Sequence, residues 1–446
     1  MATMAIAVGM SVLDSAIANI ALPTIARELQ TTPAASIWVV NAYQLAVTIA
    51  LLPLASLGDI IGYKRIYGAG LAVFTAASLG CALSHSLPLL VAARVVQGFG
   101  GAGIMSVNTA LVRYIFPRSM LGRGVGINAF VVATASATGP TVAAAILSVA
   151  SWHWLFAVNV PFGVFALWLA ARVLPQTPRT GHRFDLGGAA LNAVTLGLLM
   201  IAVDELGRGE GVGWGAAELT AAAAFGLVFV NRERAVTAPI LPVDLFRRPV
   251  FALSVLTSMC SFTAQTLAYV SLPFLFEDVG HRSQIETGLL LTPWPAIVVI
   301  VAPIAGRLSD RTSPALLGAM GLLVMTGGMA LLLAMPSHAS SVDIAWRLAV
   351  CGFGFGFYQS PNNRLLIGSA PRERSGGASG MLSTARLIGQ TTGSALVALT
   401  FGLSGGAGSG IAGGVRLALL VGVGAAGAAT VVSFVRLGQM REARPS

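Results

Sequence analysis

The stretch ASIWVVNAYQLAVTIALLPLASLGDIIGYKR, residues 35–65, decides the fold. Residues 35–57 carry no charge, and a helix needs about 20 apolar residues to cross a bilayer. Trp38, Asn41, Gln44 and Thr48 recur at steps of three and four, which marks one polar face of a helix. A membrane-spanning strand takes about half this length and alternates. The run stops at Gly58, and Asp59, Gly62, Lys64 and Arg65 follow in a tight charged turn.

The same pattern fills the chain. Of 446 residues, 55% are hydrophobic and 10% charged, with mean hydropathy +0.80. A soluble domain carries about 25% charged residues, so this chain cannot solvate the outside of a globule and needs a lipid bilayer as its partner. The net charge of +10 is spread singly between apolar runs, which argues against nucleic acid. Cys81, Cys260 and Cys351 lie far apart inside apolar runs and read as small core residues. The start lacks a basic segment and a cleavage site, so the first apolar run is expected to stay as a span.

Fourteen apolar segments are expected, at about 4–23, 35–57, 66–86, 88–112, 122–149, 154–174, 186–205, 215–231, 249–275, 287–306, 314–335, 343–368, 377–403 and 413–435. Of the 27 Lys and Arg residues, 20 fall on the side of both termini and 5 on the other, with Arg94 and Arg386 inside spans. The positive-inside rule then puts both termini in the cytoplasm of an all-α, multi-pass protein of the cell inner or plasma membrane.

A repeat organises these spans. Asp59, after span 2, is echoed by Gly306-Arg307-Leu308-Ser309-Asp310-Arg311 after span 10. The two aspartates are 251 residues apart, which suits six spans plus an inserted pair. Arg94 to Gly103 and Arg347 to Gly356 echo each other too, each an Arg before a glycine-rich stretch. The expected parts are a six-helix bundle over 1–175, an inserted pair with linkers over 176–248, and a second six-helix bundle over 249–446. Doubled bundles suit a transporter that rocks around a midplane site.

These residues resemble the major facilitator superfamily, and within it the fourteen-span drug:proton antiporters, the DHA2 group. Leu13-Asp14-Ser15 through Ala21-Leu22-Pro23 is similar to that group's span-1 signature. Residues 55–65 resemble the superfamily motif G-x-L-x-D-R-x-G-R-K, with Ala55, Ile60 and Tyr63 as departures. Leu90 to Gly100, with Arg94, Gln97 and Gly98, matches the span-4 motif. Ala135 to Ala144 resembles the antiporter motif G-x-x-x-G-P-x-x-G-G, keeping Gly139-Pro140 and replacing three glycines by alanine. Trp152 to Gly163, through Asn159 and Pro161, is similar to the start of span 6, with His153 where Arg is usual. The resemblance implies that the charged turn latches the halves, with Asp310 and Arg311 as a second copy, and that Gly139 and Pro140 seal them against proton leak.

Asp14 is the one carboxylate expected mid-span. An isolated charge there costs several kcal/mol, so an acid that gains and loses a proton between states is a proton-coupling candidate. The competing reading is polar glue, bonded to Ser11 or a neighbouring helix. Arg94 is the expected charged partner; snorkelling to the headgroups is the alternative. Arg386, near the inner end of its span, reads equally as a snorkelling or fixed structural contact and as a transport residue. Trp38, Asn41, Tyr43, Gln44, Gln97, Asn128, Gln265, Tyr269, Trp294, Tyr358, Gln359 and Asn362 are costly against lipid and are expected to face the interior, where aromatics suit amphipathic or cationic ligands. Trp152 and Trp154 read as interfacial anchors.

Two patterns carry no chemistry at this stage. Gly98-Phe99-Gly100-Gly101-Ala102-Gly103 fits the dinucleotide pattern but lies inside a span. His85, His153, His182, His281 and His338 are single, with no metal-ligand spacing. No Walker motif is present. The reading is a non-enzymatic, proton-driven exporter of small amphipathic or cationic organic compounds, working as a monomer without metal or cofactor. The alternatives are a dedicated exporter of one metabolite or antibiotic, an inner-membrane pump of a tripartite complex, and a channel or receptor.

Overall fold

A computed structural model describes residues 2–115, 121–177, 184–208, 212–235, 243–309, 311–336, 339–370, 375–406 and 410–442. The described residues are helices and connections, in two compact units: Met1–Ala202 with Gly213–Arg232, and Val203–Val212 with Glu233–Ser446. The first holds α1 (Ala2–Glu28), α2 (Pro33–Ser36), α3 (Trp38–Ile61), α4 (Tyr63–Ala82), α5 (Leu87–Ile115), α6 (Leu121–Val149), α7 (His153–Ala157), α8 (Asn159–Val173) and most of α9 (Leu186–Arg208) and α10 (Val212–Ala235). The second holds α11 (Pro249–Phe274), α12 (Gln284–Leu291), α13 (Pro293–Leu308), α14 (Pro314–Leu333), α15 (Ser341–Gly368), α16 (Ser375–Gly406) and α17 (Gly410–Glu442).

All fourteen expected segments fall on helix, though three are broken in two. Thr32 caps α2 through its hydroxyl, and Pro33 supplies the first turn before α3 restarts. Another break separates α7 from α8 at Val158. The third separates α12 from α13 at Thr292, where Pro293 has no N–H to continue the ladder. Among the described residues, 11 helices are long and apolar enough to cross a bilayer. Within α6 and α9, Thr134–Val149 and Leu186–Ala202 are apolar stretches. Helix α15 falls outside this set; Gln359, Asn362, Asn363 and Arg364 make its last third polar.

Most of the two helices expected as an inserted pair, α9 and α10, groups with the N-terminal bundle. Asn192 of α9 donates to the Ile49 carbonyl of α3, and Arg232 of α10 pairs with Asp185 ahead of α9.

Glycine explains the closest packing in both units. A Cβ at Gly98 would lie 2.6 Å from the Tyr43 carbonyl oxygen on α3, and one at Gly100 would lie 2.4 Å from the Phe74 nitrogen on α4. In the second unit, a Cβ at Gly352 would lie 2.4 Å from the Trp294 carbonyl oxygen on α13. One at Gly354 would lie 2.4 Å from the Met325 nitrogen on α14. Each unit therefore wedges a glycine-rich helix, α5 or α15, between two neighbours at near backbone contact. The stretch that mimicked a nucleotide loop is helix-packing surface.

The echo of Arg94 by Arg347 does not extend to the side chains. Arg347 is only partly buried and pairs with Asp343 one turn earlier on its own helix. The matched glycines, 98 with 352 and 100 with 354, instead put Leu348 opposite Arg94 in register.

Candidate functional site

Helix α1 carries Asp14 near its middle, with the side chain buried. Three donors from two helices, α5 and α8, converge on it. Arg94 Nη1 of α5 lies 2.5 Å from Oδ2. Gln97 Nε2, one turn further along α5, lies 2.9 Å from Oδ1. Asn159 Nδ2, at the first residue of α8, lies 2.8 Å from the same Oδ1. Spacing along α5 explains two of these, because residues three apart share a helix face.

Around this core a second layer sets the orientation of each donor. Arg94 is fully buried; its Nε donates to the Val39 carbonyl and its Nη1 also reaches Gln97 Oε1 at 2.6 Å. Its guanidinium carbon sits 4.2 Å from the Tyr43 ring centre and 5.5 Å from that of Phe156. Cation–π contact on the flat faces leaves the edge free for Asp14. Gln97 Nε2 also donates to Ser78 Oγ, and the Tyr43 hydroxyl shares a hydrogen bond with Ser11 Oγ. Ser11, the alternative partner considered for Asp14, is thus engaged by Tyr43. Arg94 is held inside the unit and does not snorkel.

Gly139 of α6 packs against Ala16, two residues from Asp14; a Cβ there would lie 2.5 Å from the Ala16 Cβ. Pro140 follows it, buried within α6.

The charged turn takes a definite form. Gly62 ends α3 with φ +102°, a conformation that favours glycine. A Cβ at Gly58 would meet Val107 at 2.6 Å. The Tyr63 hydroxyl donates to Asp59, and Lys64 Nζ donates to the Ala171 carbonyl at 3.0 Å. Arg65 is exposed. In the second unit Asp310 lies outside the described residues, and Arg311 is exposed in the connection to α14.

The expected lining residues divide between the units. Tyr43 and Gln97 belong to the Asp14 cluster. Asn41 and Gln44 are buried on α3, and Trp38 is half-buried at its start. Asn128 accepts a hydrogen bond from Asn108. In the second unit Gln265, Tyr269 and Gln359 are half-buried, and the Tyr269 ring centre lies 5.3 Å from that of the buried Trp294. Arg386 is half-buried, 5.8 Å from the Phe262 ring centre.

Tyr358 and Asn362 enter a network that the sequence reading missed. Arg436 of α17, one residue past the expected segment 413–435, is fully buried. Its Nη1 donates to Ser254 Oγ at 2.7 Å and Asn362 Oδ1 at 2.5 Å, and its Nη2 donates to Ser433 Oγ. Asn362 and Tyr358 extend the network to Ser258 and Ser261. Its position near the end of α17 looked like a loop charge because sequence alone does not show which neighbours cover it.

Two further readings change. Trp152 is fully buried, stacked on His153, and so is no interfacial anchor, whereas Trp154 is exposed. His85 and His153 are not single: their ring centres lie 5.8 Å apart. Asn159, Ser78 and Phe156 were also absent from the expected site. The signal for Asn159 was available, since it is a polar residue within an apolar run and part of the quoted span-6 stretch.

Helices long and apolar enough to cross a membrane, with a buried charge cluster among them, make a multi-pass membrane protein. Its family and relatives make it a transporter rather than an enzyme. The Major Facilitator Superfamily profile matches residues 4–394, and the chain belongs to that family. It is 56% identical over 399 residues to the uncharacterized transporter YebQ of Escherichia coli K12, covering 89% of this chain and 87% of that one. It is 32% identical over 393 residues to the multidrug resistance protein Stp of Mycobacterium tuberculosis, covering 86% and 72%. The fold is similar to the crystal structure of a bacterial homologue of the human lysosomal transporter Spinster, with TM-score 0.72 at 14% identity, covering 100% and 97%.

Proposed function

We propose that this chain is a proton-coupled exporter of small organic compounds of the DHA2 type, working by alternating access with fourteen spans and both termini in the cytoplasm. The observation that carries this reading is the buried carboxylate of Asp14, acceptor to Arg94, Gln97 and Asn159. A proton on Asp14 removes the charge that Arg94 pairs with and turns an acceptor-only group into a donor. Protonation therefore requires the three donors to rearrange, which links proton uptake to a change of conformation. The likeness to a multidrug resistance protein supports small amphipathic compounds as substrates.

In this reading the inward proton gradient is the energy source, worth about 2.3 kcal/mol per charge per 100 mV plus the pH term. No cofactor takes part, and the monomer is the working unit. The turn at Gly58, Asp59, Gly62, Lys64 and Arg65, with Asp310 and Arg311, is the gate, and Gly139-Pro140 seals beside Asp14. The half-buried and buried polar residues of both units, Arg386 included, supply substrate contacts.

The test is reconstitution into liposomes with an imposed pH gradient and an amphipathic organic cation as probe. Substrate-induced proton movement that is lost in Asp14→Asn supports the reading. Transport with no proton movement overturns it.

A further inference from the structure

His85 lies in the connection between α4 and α5, and His153 opens α7, 68 residues later in the sequence. Their ring centres are 5.8 Å apart with the planes inclined by 47°. His153 Nε2 lies 3.2 Å from the Ser84 carbonyl oxygen. A carbonyl only accepts, so Nε2 carries the proton, and in the neutral ring the lone pair is left on Nδ1. Trp152 stacks on this imidazole with ring centres 3.7 Å apart, which holds the plane. His85 is exposed, and its ring makes no hydrogen bond among the described residues.

This is the support that metal-binding imidazoles receive: the second ring nitrogen donates to a backbone carbonyl and sets tautomer and orientation. Two imidazoles on one Zn²⁺, each at about 2.0–2.1 Å and tetrahedral, hold their ring centres roughly 5 Å apart. A shift of about 1 Å in the exposed His85 closes the difference. We propose that His85 and His153 form a two-imidazole site for a divalent transition metal ion such as Zn²⁺. No set of three His, Cys, Asp or Glu residues that could hold a metal occurs among the described residues, so water completes the coordination.

The site borders the charge cluster. The Trp152 ring centre lies 6.2 Å from that of Phe156, edge to face, and Phe156 covers Arg94. An ion held by His85 and His153 fastens the α4–α5 connection to α7 and so restrains the aromatic cover of Arg94.

The experiment is a Zn²⁺ titration of the purified full-length protein in detergent, read by thermal unfolding and by calorimetry. The expected result is a melting temperature that rises with the logarithm of Zn²⁺ concentration above saturation. Affinity falls about tenfold or more in His85→Ala and in His153→Gln. Mg²⁺ gives no shift, because it takes oxygen ligands. His85→Ala alters an exposed side chain and keeps the test valid if His153→Gln unfolds. An unchanged Zn²⁺ response in His85→Ala, or none in the parent protein, overturns the proposal. Neither readout depends on transport, so it stands or falls apart from the proton-coupled reading.

Discussion

Asn159 and Gln97 donate to the same oxygen of Asp14, Oδ1, from different helices. Arg94 takes the other oxygen. The carboxylate is therefore shared among α1, α5 and α8, and any change at Asp14 is felt by all three. A hydrogen bond to a charged group contributes about 1.5–3 kcal/mol. Asn159→Ala is expected to lower the stability of the purified protein by an amount in that range. It is also expected to reduce proton-coupled transport without abolishing it, since two donors remain. Unfolding curves and proton flux in liposomes check both parts; full activity would remove Asn159 from the site.

Arg94 and Asp14 are each other's charge partner in a dry environment. Removing one partner of a buried pair costs about 3–5 kcal/mol, because the other charge is left uncompensated. Asp14→Asn and Arg94→Gln are each expected to destabilise strongly, and the double variant by clearly less than the sum. A double-mutant cycle on unfolding free energies measures this. Strict additivity would mean that the two charges do not interact.

Backbone contact at the glycine helices gives a graded series. Gly100→Ala and Gly354→Ala each put a methyl 2.4 Å from a backbone nitrogen. Overpacking of this kind typically costs about 1–3 kcal/mol, and backbone cannot swing aside as a side chain does. Gly197 has nothing within 4 Å of its would-be Cβ, so Gly197→Ala is expected to be neutral or stabilising by about 1 kcal/mol. Melting temperatures of the three variants decide the order.

Asp185, outside the spans, supplies a pH prediction. The hydrogen bond from Arg232 and the Gly188 backbone N–H hold its carboxyl below the usual range. A depressed carboxyl stabilises the fold above its unfolded pKa, and that contribution is lost as pH falls below about 4. Arg232 is nearly half exposed, so the effect is small, under about 1 kcal/mol, and screened by salt. Asp185→Asn is expected to flatten the acid limb of the stability profile slightly, and 1 M salt to erase the difference. Melting temperature against pH at two salt concentrations tests it.

Composition and helical periodicity were enough to define an all-helical membrane protein, because a bilayer leaves the backbone few other options. The expected segments fall on helix for that reason. Asp14 and Arg94 stood out equally early, since a charge inside an apolar run is costly and needs a reason. Asn159 did not, although it lies in a stretch already quoted. An uncharged polar residue in a span costs less than a charge, so the signal of Asn159, though present, is weaker than that of Asp14 or Arg94.

What the sequence by itself determined were properties set by one residue against its solvent: which runs are apolar, and which charges are too costly to leave alone. What only the tertiary structure decided were meetings between distant residues. Asn159 reaches Asp14 across 145 positions, Arg436 reaches Ser254 across 182, and His85 meets His153. The physical reason is that hydrogen bonds and ring contacts act over a few ångströms. Sequence separation fixes no such distance; helix packing, here brought close by glycines 98, 100, 352 and 354, does.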